Sequence, residues 1–565
     1  VPENHFFIPL QKYFMIILKI YVSNFSGYIS CMIPLNLKTN TGSVGKGWLD
    51  LPFRRTTPEP YYFRQSESQR LPPSYRTGLV FFAAIMIMAV FGLTGIHAQT
   101  LAESKQSWLA MYHQTKQQQQ LQDFMSLWEN QGAMSLMDQL EAMGPAAQRA
   151  LASLEDPAAN PDPELEQVGS FLKAFQAGLP QLKTLLGGEE PQRILVFIQD
   201  PTERRATGGT LSGGVEILLD TGKVVTWKPF LSQDYDNLLS VNIPPPAELA
   251  NITDRWGLST ANSFLDMPQS AEKMHWFWQR GAHSSADAII IVNSTALEKI
   301  LAVSGVSTNL SEQWTELRLG QNQDELKNLA SSSVESLLSM AKNPNITIAA
   351  WPTINAIARQ KQMMIFSTDP QLQSKLEDFQ ISAALPSPGS HEDTLMIASI
   401  GTEPNSTDQF IEEHHRLDTA ISSDGKIRHW LKINRRNLSQ DTAHRSLTRI
   451  LVPLGSRMTT ADGLDMSNIS VMNTDRFTVW SFNLSLSPEE TKELALSYSL
   501  PWNFDTTSVD NYRLTLLKQA GTNPMPFQHH LKLPAELTIF QQLPEEEISV
   551  LDRDIHVAVV AGKNP

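Results

Sequence analysis

The sequence predicts an α/β extracytoplasmic domain, preceded by one transmembrane helix and a helical stalk and followed by a β-sandwich-like C-terminal region. Three observations lead there. Leu79–Ile96 is an apolar run without a charged residue. From Arg193 onward, apolar strand patterns alternate with helical ones, as in α/β domains. From His391 onward, short alternating stretches recur between Pro, Gly, Asn and Asp turns, as in packed antiparallel sheets.

The composition bounds these expectations. The chain has 565 residues, enough for roughly three or four domains of ~150 residues. Its 41% hydrophobic and 18% charged content excludes a wholly disordered polymer. The net charge of −14 argues against nucleic acid as a partner, because such proteins need a basic surface to replace phosphate counterions. Cys31 has no second cysteine to pair with, so neither a disulfide framework nor a cysteine zinc site is expected.

Residues 1–76 read as a basic, disordered cytoplasmic tail. Phe6–Ile33 is apolar but broken by Gln11, Lys12, Lys19, Asn24 and Ser26, a poor membrane span. Met32 is a sensible alternative start, with residues 1–31 a mis-called one. Lys38, Lys46, Arg54, Arg55, Arg64, Arg70 and Arg76 then outnumber the acids. Residues 77–98 read as the transmembrane helix, because at helical rise Leu79–Ile96 approaches the ~30 Å of a hydrocarbon core. Basic residues ahead of it put the N-terminus in the cytoplasm and residues 99–565 outside. The lipid bilayer is thus an expected partner; a signal peptide cut after Ala98 is the competing reading.

Residues 99–190 read as the helical stalk. Leu121, Phe124, Met125 and Trp128 share a helix face, and Val168, Phe171, Leu172, Phe175 and Leu179 form a second stripe. No heptad persists for three repeats, which favours helices packed on the next domain over a coiled coil.

Residues 191–388 form the expected α/β domain. Ile194–Ile198 is a strand. Gln199–Gly214, Q-D-P-T-E-R-R-A-T-G-G-T-L-S-G-G, reads as a polar glycine-rich loop. Val215–Val225 is a hairpin turned by D-T-G-K. Asp266 opens a helix that buries Met274, Phe277 and Trp278. Asp287–Val292 is a strand buried on both faces, and Ser294 caps the helix after it. Leu326, Leu329, Ser333 and Leu337 mark a longer helix, and Met363–Phe366 a further strand. Residues 389–565 are the expected β-rich part, with Gly425–Asn434, Arg449–Pro453, Arg476–Leu486, Tyr512–Leu517 and Ile555–Val560 among its strands.

No phosphate loop, dinucleotide fingerprint, zincin helix or nucleophile elbow occurs in the sequence. His414–His415 and His529–His530 are adjacent and point to opposite faces of a strand, so they read as surface histidines. The chemistry concentrates in the glycine-rich stretch. Arg204 or Arg205 could fork onto phosphate oxygens, with Gly208 and Gly209 letting backbone N–H groups approach. Asp266 and Asp287 could hold Mg²⁺ if they converge. The structural alternative is that an aspartate pairs with Arg205, the glycines supply positive φ and Asp266 caps its helix.

E-R-R-A-T-G-G (Glu203–Gly209) resembles the E-L-R-P-T-G-G motif of the bacterial family called domain of unknown function 4012. Ala261–Ala271, A-N-S-F-L-D-M-P-Q-S-A, resembles that family's A-N-x-x-x-D-F-P-x-S-A element. Asp287–Asn293, followed by A-L-E-K-I-L-A-V-S-G, resembles its third block. The likeness covers roughly Arg193–Leu385. Ala206 stands where the family usually has Pro, Thr210 where it has Phe, and Ile400–Phe410 lacks the family's Lys. The resemblance implies a membrane-anchored extracytoplasmic protein, without an agreed activity, associated with cell-surface polysaccharide.

Two functions follow as expectations. One is a cell-envelope binding or assembly protein whose partners are a surface glycopolymer or envelope assembly proteins. The other is a metal-assisted phosphotransferase on polyprenyl-pyrophosphate-linked glycans, similar only in layout to the LytR-CpsA-Psr enzymes. They differ in whether Arg204, Arg205, Asp266 and Asp287 converge on one open cleft.

Overall fold

The computed structural model describes residue 138 and residues 178–563, apart from 307, 342–343, 390, 405 and 545–547. The basic tail, the Leu79–Ile96 run and most of the expected stalk lie outside the described residues. Among the described residues, no helix is long and apolar enough to cross a membrane.

The fold class expected from the sequence is corrected: the protein is predominantly β, built on three mixed sheets with few helices. The first sheet contains β1 (Gln192–Arg205), β2 (Gly208–Asp220), β3 (Lys223–Leu231), β4 (Ala288–Asn293) and β5 (Met363–Ser367), in the order β3-β2-β1-β4-β5. Only β1 and β4 run parallel; the other three pairings are antiparallel. Alternating strands and helices suggest a parallel sheet only where each helix is a crossover. Here β1, β2 and β3 are successive hairpins, and a single crossover leads back to β4.

The largest local correction concerns Gln199–Gly214, which is not a loop. β1 continues through it to Arg205 and β2 begins at Gly208, paired from Gln192↔Leu219 to Arg205↔Gly208 with two bulges. Only Ala206 and Thr207 connect the two strands. Gly208 sits at φ +122, where a Cβ would enter the Gln199 side chain, a conformation L side chains rarely adopt. A Cβ at Gly209 would enter the Asp200 carbonyl. These two glycines therefore let strands approach rather than shape a ligand cradle. The next hairpin turns at Thr221 and Gly222, with φ of 48 and 73, as the D-T-G-K spacing predicts.

Helices cover both faces of this sheet. On one, α1 (Ser232–Leu238) and α2 (Met267–Ala282) lie over β1 and β4. There Met274, Phe277 and Trp278 pack with Leu195, Phe197, Ile289 and Ile291. The other face is covered by α3 (Ser294–Ala302), α4 (Leu310–Leu319), α5 (Gln323–Ala341) and α6 (Pro344–Arg359). Ser294 is not the cap of α3: Asn293 holds that position, and the Ser294 hydroxyl bonds Ser311 at 2.9 Å. Helix α7 (Pro370–Asp378) follows β5 and is capped by Asp369, which accepts from the Leu372 N–H.

The remaining strands are β6 (Glu392–Gly401), β7 (Ile411–Ile421), β8 (Lys426–Asn437), β9 (His444–Pro453), β10 (Arg457–Asp462), β11 (Ser470–Asn473), β12 (Phe477–Leu486), β13 (Thr491–Asn503), β14 (Asp510–Leu517), β15 (Met525–Lys532), β16 (Leu537–Leu543), β17 (Val550–Leu551) and β18 (Ile555–Lys563). They form a six-stranded sheet, β10-β13-β8-β7-β15-β17, and a seven-stranded sheet, β11-β12-β9-β6-β14-β18-β16. Each contains one parallel pairing, β7 with β15 and β6 with β14. One apolar cluster joins Leu417, Leu431 and Leu496 of the former to Ile450, Trp480 and Leu514 of the latter. Period-two alternation puts one face of each strand into this core.

Candidate functional site

The end of the β1–β2 hairpin is charged, buried and ion-paired within the protein, although some of its buried atoms, Arg205 Nε among them, make no hydrogen bond. Asp200, Glu203 and Arg205 are 0%, 3% and 1% exposed. Arg318, from α4, spreads its guanidinium across them: Nε meets Asp200 at 2.8 Å, Nη1 meets Glu203 at 2.9 Å and Nη2 donates to Ser406 at 2.6 Å. Arg205 pairs with the other Glu203 oxygen and donates to the Arg204 carbonyl at 3.0 Å. The fixed fork of five N–H donors suits arginine to such multi-acceptor bridging.

Arg204 points away from α4, toward the six-stranded sheet. Its side chain pairs with Glu413 on β7, and its backbone N–H donates to Asp408 at 2.9 Å. Glu413 also faces Arg435 and His415, each at 3.3 Å. Arg435 Nε lacks hydrogen-bond geometry there, so that contact is Coulombic. Burial alone would raise the Glu413 carboxyl. The Arg435 and Arg204 guanidiniums outweigh it and hold the group well below the usual carboxylate range. Asp408, buried beside Arg204 and Arg205, is pushed up to about 6 by burial, which outweighs them. His444 is lowered to about 3, first by burial and then by Arg204 and Arg435. His415, expected at the surface, is buried in this cluster, while its neighbour His414 is exposed.

A second seam lies beside the first. The segment after β14 inserts against β1 and β4. Gln519 Nε2 donates to the Arg205 carbonyl at 3.1 Å, and Asn293 Nδ2 to the Gly521 carbonyl at 2.8 Å. Lys518 is fully buried and donates to the carbonyls of Gln360 and Gln519 at 3.0 and 3.3 Å. Burial, then Lys361, lowers it to about 7. The E-R-R-A-T-G-G turn is thus the joint between the first sheet and the β-rich region.

The two aspartates lie elsewhere. Asp287 immediately precedes β4 and accepts the Arg193 backbone N–H at 2.7 Å; its carboxyl is raised by burial against that bond. Arg193 and Arg205 stand at opposite ends of β1, about 40 Å apart at strand rise. Asp266 precedes α2, as expected, but its side chain does not cap that helix. It accepts the Leu385 N–H at 3.0 Å and pairs with Arg476 at 2.9 Å. The four expected site residues therefore do not form one cleft. Each aspartate is engaged by its own partner, and the pair offers no shared ligand set for Mg²⁺. Among the described residues, no three His, Cys, Asp or Glu side chains group as a metal site.

A different group of residues faces solvent on α2. Trp256 and Trp276 are half-buried and stand edge-on to the buried Phe277, with ring centroids 5.4 and 5.1 Å from it. Lys273 Nζ lies 5.1 Å from the Trp256 ring centroid and 5.6 Å from that of Trp276. Arg280, one turn further on, lies 5.4 Å from the Trp276 ring. Spacing of three and four residues places Lys273, Trp276 and Arg280 on one face. The Trp256 indole N–H is held by the Thr260 carbonyl at 3.1 Å. Burial lowers the Lys273 ammonium, partly offset by Glu272. Sequence periodicity missed this group because Trp256 lies in an irregular segment and W-F-W splits across two sides of the helix. The signal available was a set of Trp256, Lys273 and Trp276 flanking the second family block on either side.

Comparisons with known proteins bear on the fold region, not on chemistry. No curated protein matches the sequence. Among solved structures, a putative nutrient binding protein from Legionella pneumophila aligns at 8% identity and a TM-score of 0.20, over 30% of this chain and 70% of its own. An M1 zinc metallopeptidase from Deinococcus radiodurans aligns at 12% identity and a TM-score of 0.16, over 27% of this chain and 42% of its own. Similarities this low carry no functional argument. The family profile described as "Protein of unknown function (DUF4012)" matches residues 189–317, which span the three sequence blocks, the hairpin joint and the α2 face. Residues 189–317 thus carry the match to the DUF4012 family of proteins of unknown function that the three blocks resemble.

Proposed function

We propose that the chain is a non-catalytic cell-envelope protein that binds or organises a surface glycopolymer or its assembly partners. The observation that carries this reading is that Arg204, Arg205 and Asp266 are ion-paired to separate protein partners, while Asp287 accepts a backbone N–H at the other end of β1. Phosphoryl transfer needs cations or a metal free to receive the charge developing on the transferred group. A guanidinium already bonded to buried carboxylates has no such capacity to spare. The apolar Leu79–Ile96 run, with basic residues ahead of it, supports a place at the bacterial membrane with residues 99–565 outside. The resemblance to a family associated with surface polysaccharide supports the partner class.

The test uses the full chain in detergent, incubated with Mg²⁺, a polyprenyl-pyrophosphate-linked oligosaccharide and cell-surface polysaccharide from the source bacterium. The expected result is retention of polysaccharide without turnover of the lipid-linked donor. Turnover that disappears in Asp287→Asn would overturn the reading in favour of the transferase.

A further inference from the structure

We propose that the outer face of α2, formed by Trp256, Lys273, Trp276 and Arg280, is a binding site for acidic sugar residues. The proposal rests on the glycopolymer-binding reading above and names the ligand chemistry and the site. Its basis is a contrast in how this protein treats its cations. The arginines of the hairpin joint are paired with carboxylates. Lys273 and Arg280 have no ion pair among the described residues, yet both cations lie over indole rings, Lys273 half-buried and Arg280 exposed. Cation–π contact orients a cation without neutralising it, so both remain available to an anion. The chain as a whole is strongly acidic, which makes a local pair of uncompensated cations selective for its ligand.

The indoles set the second requirement. Two half-exposed tryptophans, each braced edge-on by Phe277, are rigid apolar surfaces that cost little conformational entropy on binding. The Trp276 indole N–H meets no acceptor among the described residues and can donate to a hydroxyl. A ligand that matches has a flat apolar face, hydroxyl groups and a negative charge: a uronate or phosphate-bearing sugar ring. A lipid surface fits less well, because Glu272 and Gln279 are exposed on the same helix and break any continuous apolar patch.

The experiment is titration calorimetry of the full chain with oligogalacturonate, with a neutral malto-oligosaccharide of the same length, and with anionic phospholipid vesicles. The expected result is binding of the acidic oligosaccharide that weakens with salt and falls about tenfold or more in both Trp276→Ala and Lys273→Gln. Trp276→Phe should recover part of the loss. Equal affinity for the neutral oligosaccharide, unchanged affinity in both variants, or retention on vesicles alone would each overturn the site. The polysaccharide retention test separates the two levels. Wild type and variants retaining polysaccharide equally would refute the α2 site and leave the binding function standing. Absence of retention by wild type would remove the function itself. Unchanged melting temperatures in the variants exclude loss of fold as the cause.

Discussion

The hairpin joint and the α2 face lie within the same family-matched region and contain similar side chains, yet they are built in opposite ways. At the joint, arginines are buried and every guanidinium faces a carboxylate, most of them from distant parts of the chain. On α2, cations rest on half-exposed indoles and meet no carboxylate. Buried polar groups that are fully partnered fix a geometry. Exposed groups held in place but unpartnered are available to something else. Motif density alone points to the first region; the state of its partners moves attention to the second.

The sharpest way to break this contrast is to remove the bridge at the joint. Arg318→Ala leaves Asp200 without its counter-ion in a fully buried position. Removing one partner of a buried pair costs roughly 3–5 kcal/mol. Thermal or denaturant unfolding of the full chain should show a loss of that size. A loss below about 1 kcal/mol would mean that water reaches the joint and that its charges are available after all.

The second test concerns the backbone of the same turn. Gly208→Ala would force a side chain into φ +122 and into Gln199. Backbone strain of this kind costs roughly 1–3 kcal/mol before packing is counted. If Gly208 instead served ligand approach, Gly208→Ala would leave stability unchanged and reduce binding. The expected outcome is the reverse: lower stability, with polysaccharide retention preserved in the folded fraction.

These two residues also show how much the sequence reveals. The apolar strands Ile194–Ile198, Asp287–Val292 and Met363–Phe366 are legible because a short apolar run between turn signals has few other uses. The ends of β1 and β2 are illegible for a physical reason. Asp200, Glu203, Arg204 and Arg205 look solvated in isolation, and their burial depends on Arg318, Asp408, Glu413 and Gln519. Those partners lie far along the chain, beyond any local pattern. The fold class departs from the α/β expectation for the same reason: hairpins and crossovers differ in strand direction, which periodicity does not encode. The Asp266 position before a helix was legible; its pairing with Arg476 was not.

The joint also makes a pH prediction. His444 touches Thr407 at 3.0 Å and lies among Arg204, Arg435, Glu413 and Asp408. Its folded pKa, about 3, is below the ordinary value near 6.5. The unfolded chain therefore binds a proton first as pH falls, and stability is lost from about pH 6.5 downward toward pH 3. The slope is at most about 1.4 kcal/mol per pH unit. Asp408 has the opposite sign: raised to about 6, it favours the fold in acid and loses that contribution as pH rises. In His444→Gln the His444 part disappears while Asp408 remains. The wild-type minus variant difference should therefore change between pH 6.5 and 3 and be flat above pH 7.5. A difference independent of pH would show that His444 titrates normally.

The smallest expected effect sharpens the other side of the comparison. Trp276 and Trp278 are two residues apart on α2, and Trp278 is 0% exposed. Its indole packs with Phe230 and Tyr235, at centroid distances of 5.1 and 4.3 Å, and donates to Ser284 at 3.1 Å. Trp278→Ala should cost roughly 3–5 kcal/mol as a buried cavity forms. Trp276→Ala removes a half-exposed ring that braces nothing deeper than Phe277, so its cost should stay within about 1 kcal/mol. A stability loss in Trp276→Ala equal to that of Trp278→Ala would place both rings in the core and leave α2 without a recognition face. A small loss with intact cooperativity keeps Trp276 as a side chain whose exposed position is not required for folding, which is the property a ligand-binding ring needs.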